Sequence, residues 1–207
     1  MDLGLANAAA VVVGGSRGMG LATARCLAEE GARVAVVGRT RASLDSAVTD
    51  LTGRGSPDAL GLAADIGDAG EVGKVFAELG QRWNGELNVL INTVGPGAAG
   101  SFEVLTDEQW RQAVEEGVMG MVRCVRAALP LLRNAQWARI VNFSAHSTQR
   151  QSVIFARLHG GQVDADERLE KSVFAAGKGR DPGQRRLAGQ HRVRVARRVG
   201  EVGRCRR

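Results

Sequence analysis

The sequence predicts an α/β fold, a doubly wound parallel sheet in a single domain, on three observations. Short apolar runs suited to strands buried on both faces recur between residues 8 and 144. Stretches with apolar residues at helical spacing separate them, and strands that alternate with helices build βαβ units and a parallel sheet. A glycine-rich turn, "GGSRGMG" over residues 14–20, stands between the first strand and the first helix, where such sheets bind ligands.

The elements follow in order. "AAAVVV" (8–13) is the first buried strand, and "LATARCLAEEG" (21–31) a helix that Gly31 stops. "ARVAVVG" (32–38) is the second strand, and "TRASLDSAVTDL" (40–51) a helix with Thr40 at its N-cap. "ALGLAAD" (59–65) is a third strand, and "GDAGEVGKVFAELGQRW" (67–83) a helix weakened by its glycines. "LNVLIN" (87–92) is the fourth strand. Residues 106–133 form one long amphipathic helix opened by a Thr/Asp cap, and "ARIVNFS" (138–144) is the fifth strand. After Arg157 the regularity stops. "DADERLEKSVFAA" (164–176) contains helix formers, but no convincing buried strand follows, so the chain divides into a domain over 1–150 and an irregular tail over 151–207.

The 207 residues suffice for one sizeable core, and no run approaches the ~20 apolar residues of a membrane span. The opening "MDLGLANAAAVVV" has no basic flank and leads into the glycine turn, unlike a signal peptide. Cys26, Cys124 and Cys205 are an odd, widely spaced set, which indicates neither a disulfide framework nor a metal site and suits a reducing cytoplasm. The net charge of +6 is uneven. Residues 1–156 carry 14 Lys and Arg against 16 Asp and Glu, whereas residues 157–207 carry 14 against 6. A basic tail can hold nucleic acid or an anionic membrane, but Phe174 is the sole Phe, Trp or Tyr of residues 157–207 for stacking and their charges follow no pattern, so neither partner is expected.

Gly14, Gly18 and Gly20 form G-x-x-x-G-x-G. A phosphate needs close backbone approach, free N–H groups and the positive end of a helix, all of which such a turn offers. An ordinary glycine-rich βα turn has the same letters; its place after the first buried strand favours a dinucleotide. The second strand ends "VVGRTR", with no acid to hold a ribose hydroxyl. Arg39 there, with Arg17 in the turn, suits a 2′-phosphate, which favours NADP(H) over NAD(H); a solvated surface arginine is the plain alternative for Arg39.

From about residue 5 to residue 150 the chain resembles the short-chain dehydrogenase/reductase family, whose domain is Rossmann-like. "VGGSRGMG" is similar to the family's TGxxxGIG turn, with Val13 in place of threonine, and implies that Gly14, Ser16, Arg17, Gly18, Met19 and Gly20 surround the cofactor. "AADIGD" implies Asp65 and Ile66 near the adenine. "INTVG" resembles NNAG, keeping Asn92 and Gly95 with Thr93 and Val94 between them. "RIVNFSAHS" is similar to the strand and loop that deliver the catalytic serine, which makes Ser144 the first candidate and Ser147 the second; either can also be a loop-capping serine. The resemblance implies hydride transfer between a nicotinamide and a small-molecule carbonyl or alcohol, and a homo-oligomer paired through the long helix. Two further departures count against simple inheritance of activity. The asparagine expected after Trp110 falls on Gly117, and the usual Ser-Ser is Ser144-Ala145.

A third departure is larger. The family's acid/base is a tyrosine, with a lysine one helical turn on that lowers its pKa. This chain contains no tyrosine. Leu158-His159-Gly160-Gly161-Gln162-Val163 can be encoded CTA CAC GGC GGC CAA GTC, which one base later reads Tyr-Thr-Ala-Ala-Lys-Ser. That is the family's YxxxK, with the tyrosine at the place of Leu158 and the lysine at that of Gln162. The same offset in "DPGQRRLAG" (181–189) allows Ile-Arg-Val-Asn-Val-Val-Ser-Pro-Gly, similar to the family's sixth strand and its loop. Two motifs in one alternative frame, in the right order, point to a one-base shift between about Arg150 and Leu158. Two further readings differ in kind: a non-catalytic dinucleotide sensor, and a nucleic-acid-binding protein acting through the tail.

Overall fold

The computed structural model describes residues 3–95, 105–143 and 193–196. In chain order these form β1 (Ala9–Val13), α1 (Gly18–Glu29), β2 (Arg33–Gly38), α2 (Arg41–Gly53), β3 (Ala59–Ala63), α3 (Ala69–Arg82) and β4 (Val89–Asn92). Then come α4 (Asp107–Val114), a π-helical turn (Glu115–Met119), α5 (Gly120–Asn134), β5 (Ala138–Asn142) and β6 (Val193–Ala196). The strands lie in the order β3-β2-β1-β4-β5-β6, and every neighbouring pair is parallel. This is the expected doubly wound sheet. The chain leaves β1 toward β2 on one side and later returns to β4 on the other, which opens a crevice beyond the ends of β1 and β4.

The core explains why β1 contains only Ala and Val. All five residues are buried, and successive side chains point to opposite faces. Ala9, Val11 and Val13 join Val72, Val75, Phe76 and Leu79 of α3 and Met121, Val125, Ala128 and Leu132 of α5. Ala10 and Val12 join Ala24, Leu27 and Ala28 of α1 and Leu44, Ala47 and Leu51 of α2. Helices therefore cover both faces, and a strand covered twice has no polar position to spare.

Polar ties fix the ends of the elements. Trp83, just past α3, is 1% exposed. Its Nε1 donates to Asp58 Oδ2 at 2.8 Å, while Arg82 forks onto both oxygens of the same carboxylate at 2.7 and 2.9 Å. The Arg33 guanidinium stands 5.6 Å from the Trp83 ring centre. The end of α3 is thereby held to the segment that enters β3.

Two features differ from the expectation. The helix over 106–133 opens as foreseen, with a capping box in which Thr106 accepts from the Gln109 amide and the Gln109 side chain accepts from the Thr106 amide. It is not one regular helix, because the π-helical turn separates α4 from α5. Gly117 and Gly120 are both buried there, and glycine tolerates the close approach of a neighbouring element. The second feature is β6, which pairs with β5 from Ala138↔Val193 to Val141↔Ala196 and comes from the stretch in which the sequence shows no convincing strand. Among the described residues, no helix is long and apolar enough to cross a membrane.

Candidate functional site

A cleft of about 400 Å³ lies at the crevice where the sheet order reverses. Its walls come from the turn after β1, the ends of β2, β3 and β4, and the π-helical turn. β1 ends at Val13, and Gly14 turns the chain at φ +80 while its amide still donates to Val37 O at 2.8 Å. The three glycines of the turn do different things. A Cβ on Gly14 would come 2.7 Å from Thr93 Oγ1 and 2.9 Å from Val94 Cγ2, so close packing with the end of β4 demands glycine there. A Cβ on Gly20 would run into the Gly14 carbonyl oxygen and lie 2.6 Å from Thr93 Oγ1. Gly18, at φ +55, meets nothing within 4 Å and opens onto free space.

Helix α1 begins at this turn without a side-chain cap. Arg17 occupies the N-cap position and makes no capping bond. The helix therefore presents its first-turn N–H groups and the positive end of its dipole to whatever fills the cleft. The N-cap of α2, Thr40, likewise makes no side-chain cap, and Thr40 and Ser43 line the same cleft. Arg17 and Arg39 are both exposed and both on the wall.

At the end of β3, Asp65 Oδ1 accepts from the Gly67 amide at 2.9 Å, while the Asp65 amide donates to Glu71 Oε2 at 2.7 Å. Ile66 packs onto Gly120, where a Cβ would stand 2.5 Å from Ile66 Cδ1. Thr93 at the end of β4 donates its hydroxyl to Val13 O at 2.7 Å. This bond links two of the departures from the motifs, Val13 and Thr93. Position 13 lacks a hydroxyl, and a hydroxyl from position 93 reaches back to its backbone.

Of the residues expected around a dinucleotide, Gly14, Ser16, Arg17, Gly18, Met19, Gly20, Arg39, Asp65, Ile66 and Gly95 all line this one cleft. Asn92 does not. It is 3% exposed, and its Nδ2 donates to Asn142 Oδ1 at 2.8 Å, tying β4 to β5 beneath the cleft. Its Oδ1 has no partner among the described residues. Ser144, Ser147 and the segment 158–162 lie outside the described residues. Sequence reasoning missed Thr40, Ser43 and Glu116 on the wall. Thr40 and Ser43 were legible as the opening of a helix beside Arg39, but Glu116 reaches the cleft from a helix whose π-helical turn leaves no mark in the hydrophobic pattern.

The donor set fits a dinucleotide phosphate. An uncapped helix end and an open glycine suit a pyrophosphate, two exposed guanidiniums suit a further phosphate, and an acid beside an isoleucine suits a base. Burial pushes the Cys124 thiol up to about 12, so it stays protonated at neutral pH. No cluster of metal-ligating side chains occurs among the described residues. A broader, open groove runs along the edge strand β3 and shares Arg39 and Asp65 with the cleft.

Comparison with known proteins agrees with this geometry. The sequence profile described as short chain dehydrogenase matches residues 8–157. Over 147 residues the chain is 31% identical to the uncharacterized oxidoreductase YvrD of Bacillus subtilis, with 71% of this chain and 54% of that protein covered. Over 156 residues it is 30% identical to D-beta-hydroxybutyrate dehydrogenase of Rhizobium meliloti, with 73% and 60% covered. Among solved structures, a variant of actinorhodin polyketide ketoreductase with NADPH matches at TM-score 0.77 and 26% identity, over 83% of this chain and 66% of that one. The chain thus spans little more than half the length of these curated relatives. The profile runs through every element that walls the cleft, and the chain belongs to the short-chain dehydrogenase family.

Proposed function

We propose that residues 1–150 bind NADP(H) in preference to NAD(H), and that the chain derives from an oxidoreductase acting on a carbonyl/alcohol pair whose acid/base residues it lacks. The observation that carries the reading is the gathering of the turn glycines, Arg17, Arg39, Asp65 and Ile66 on one cleft at the point where the sheet order reverses. In this reading the α1 amides and Gly18 hold the pyrophosphate, Arg17 and Arg39 pair with the 2′-phosphate, and Asp65 and Ile66 flank the adenine. The ketoreductase that the chain resembles was solved with NADPH, which supports the same choice.

When bound, the nicotinamide supplies or accepts a hydride. The chain's own task is then to orient the carbonyl and to move a proton at its oxygen. Ser144 is proposed to orient the carbonyl by donating a hydrogen bond. For the proton the sequence offers no tyrosine. Residues 151–207 are proposed to be out of frame, and the family profile stops at residue 157, next to the place where the shifted frame restores the tyrosine and lysine. The chain as written is therefore expected to bind NADPH without turnover on a panel of carbonyl substrates. A chain rebuilt in the shifted frame is expected to turn over at least one. Sequencing the gene across codons 145–160 tests the frame directly, and an intact frame confirmed by peptide mass would overturn it.

The second reading, a non-catalytic dinucleotide sensor, shares the cleft but not the ancestry of the tail. It gains if the frame is intact and NADPH still binds without turnover.

A further inference from the structure

Glu116 is a carboxylate on the cleft wall to which the dinucleotide reading gives no task. It sits in the π-helical turn and lines the cleft together with Asp65 and Ile66. Gly120, about one turn further on, is the residue that packs onto Ile66. That contact places Glu116 at the Asp65–Ile66 end of the cleft, since residues one turn apart share a helix face. Gln112 Nε2 donates to Glu116 Oε1 at 2.9 Å and steadies the side chain. Oε2 has no partner among the described residues.

An ionised carboxylate only accepts hydrogen bonds. The cleft wall therefore carries both the guanidiniums of Arg17 and Arg39 and the acceptors of Asp65 and Glu116. A phosphate belongs with the former, and a group rich in N–H donors with the latter. Adenine offers such a group in its exocyclic amine, whereas a 6-oxo purine turns an acceptor oxygen to the same place.

We infer that Glu116 is a specificity-determining residue of the cleft, accepting a hydrogen bond from the exocyclic amino group of the bound adenine and so selecting a 6-amino over a 6-oxo purine dinucleotide. The inference rests on the dinucleotide reading above. It is tested by titrating NADPH and its reduced hypoxanthine analogue into the full chain and into Glu116→Gln, following coenzyme fluorescence. The variant keeps an oxygen for Gln112 and gains an N–H that can donate to a 6-oxo group. Wild type is expected to prefer NADPH by about tenfold, as a charge-assisted bond allows, and the preference is expected to fall to about threefold or less in the variant. Wild type that binds both coenzymes equally would overturn the inference without recourse to a variant. So would a preference unchanged by Glu116→Gln while NADPH still binds. If neither coenzyme binds wild type, the dinucleotide reading falls and takes this inference with it.

Discussion

Gly20 illustrates how closely single residues are specified at the cleft. Its missing Cβ is the space that the Gly14 carbonyl and the Thr93 hydroxyl fill. A backbone carbonyl cannot swing aside as a flexible side chain can, so Gly20→Ala is expected to cost about 1–3 kcal/mol of stability and to weaken NADPH binding together with it. Thermal denaturation and coenzyme titration on the same sample check both. Arg39 behaves differently because it is exposed and makes no hydrogen bond or ion pair among the described residues. Arg39→Ala is expected to leave stability unchanged, to weaken NADPH about tenfold and to leave NADH nearly unaffected. The turn glycines, Arg17 and Arg39 were legible in the sequence because their chemistry is local. Thr93 was legible only as a departure from a motif, since its bond to Val13 joins residues 80 apart in the chain.

Asp58 makes a pH-dependent contribution. The Arg82 guanidinium, and after it the Trp83 indole N–H, hold its carboxyl below the usual carboxylate range against the opposing effect of burial. A carboxyl whose folded pKa is lowered contributes stability above its unfolded pKa and loses it as the pH falls through the folded value. Stability measured by denaturant titration is therefore expected to drop between about pH 5 and pH 2 more steeply in wild type than in Asp58→Asn. An equal drop in both would remove Asp58 from the account.

At the scale of elements, the strands were the most legible. β1, β2 and β4 are buried almost throughout, and an apolar run between turn residues has no other use in a chain of this kind. Leu90 in β4 is fully buried in the cluster facing α3 and α5, so Leu90→Ala is expected to cost about 2–5 kcal/mol. The helix after Thr106 was half legible. Its capping box is written in "TDEQ", whereas the π-helical turn adds to one turn without altering the apolar stripe. Gly117 and Gly120 hint at it only once Ile66 is known to pack there. β6 was illegible, because Val193–Ala196 gains its partner from β5, across a long connection with no strand pattern of its own.

For the whole molecule, the family match ends at residue 157, five of the six described strands and the cleft belong to residues before about 144, and the excess positive charge belongs to residues 157–207. This division is what a change of frame would produce: a domain written for burial, then a segment whose arginines and glycines follow codon content. The proposed change of frame rests on the sequence alone, where a shifted frame restores two motifs in the right order. If the tail is translated as written, the sheet loses the apolar cover of its last native strands. The chain is then expected to be marginally stable and prone to aggregate, and a cooperative thermal transition at ordinary mesophilic temperatures would argue against that.

The central claim is that the cleft at the ends of β1 and β4 is an intact dinucleotide site in a chain without its acid/base pair. Titration of NADPH into the full chain, with NADH in parallel and a carbonyl panel added at saturation, tests it most directly. The account expects saturable NADPH binding in the micromolar range, NADH about tenfold weaker, and no oxidation of the bound coenzyme. Absence of saturable binding to a folded chain, or turnover at a rate typical of an enzyme, would contradict it.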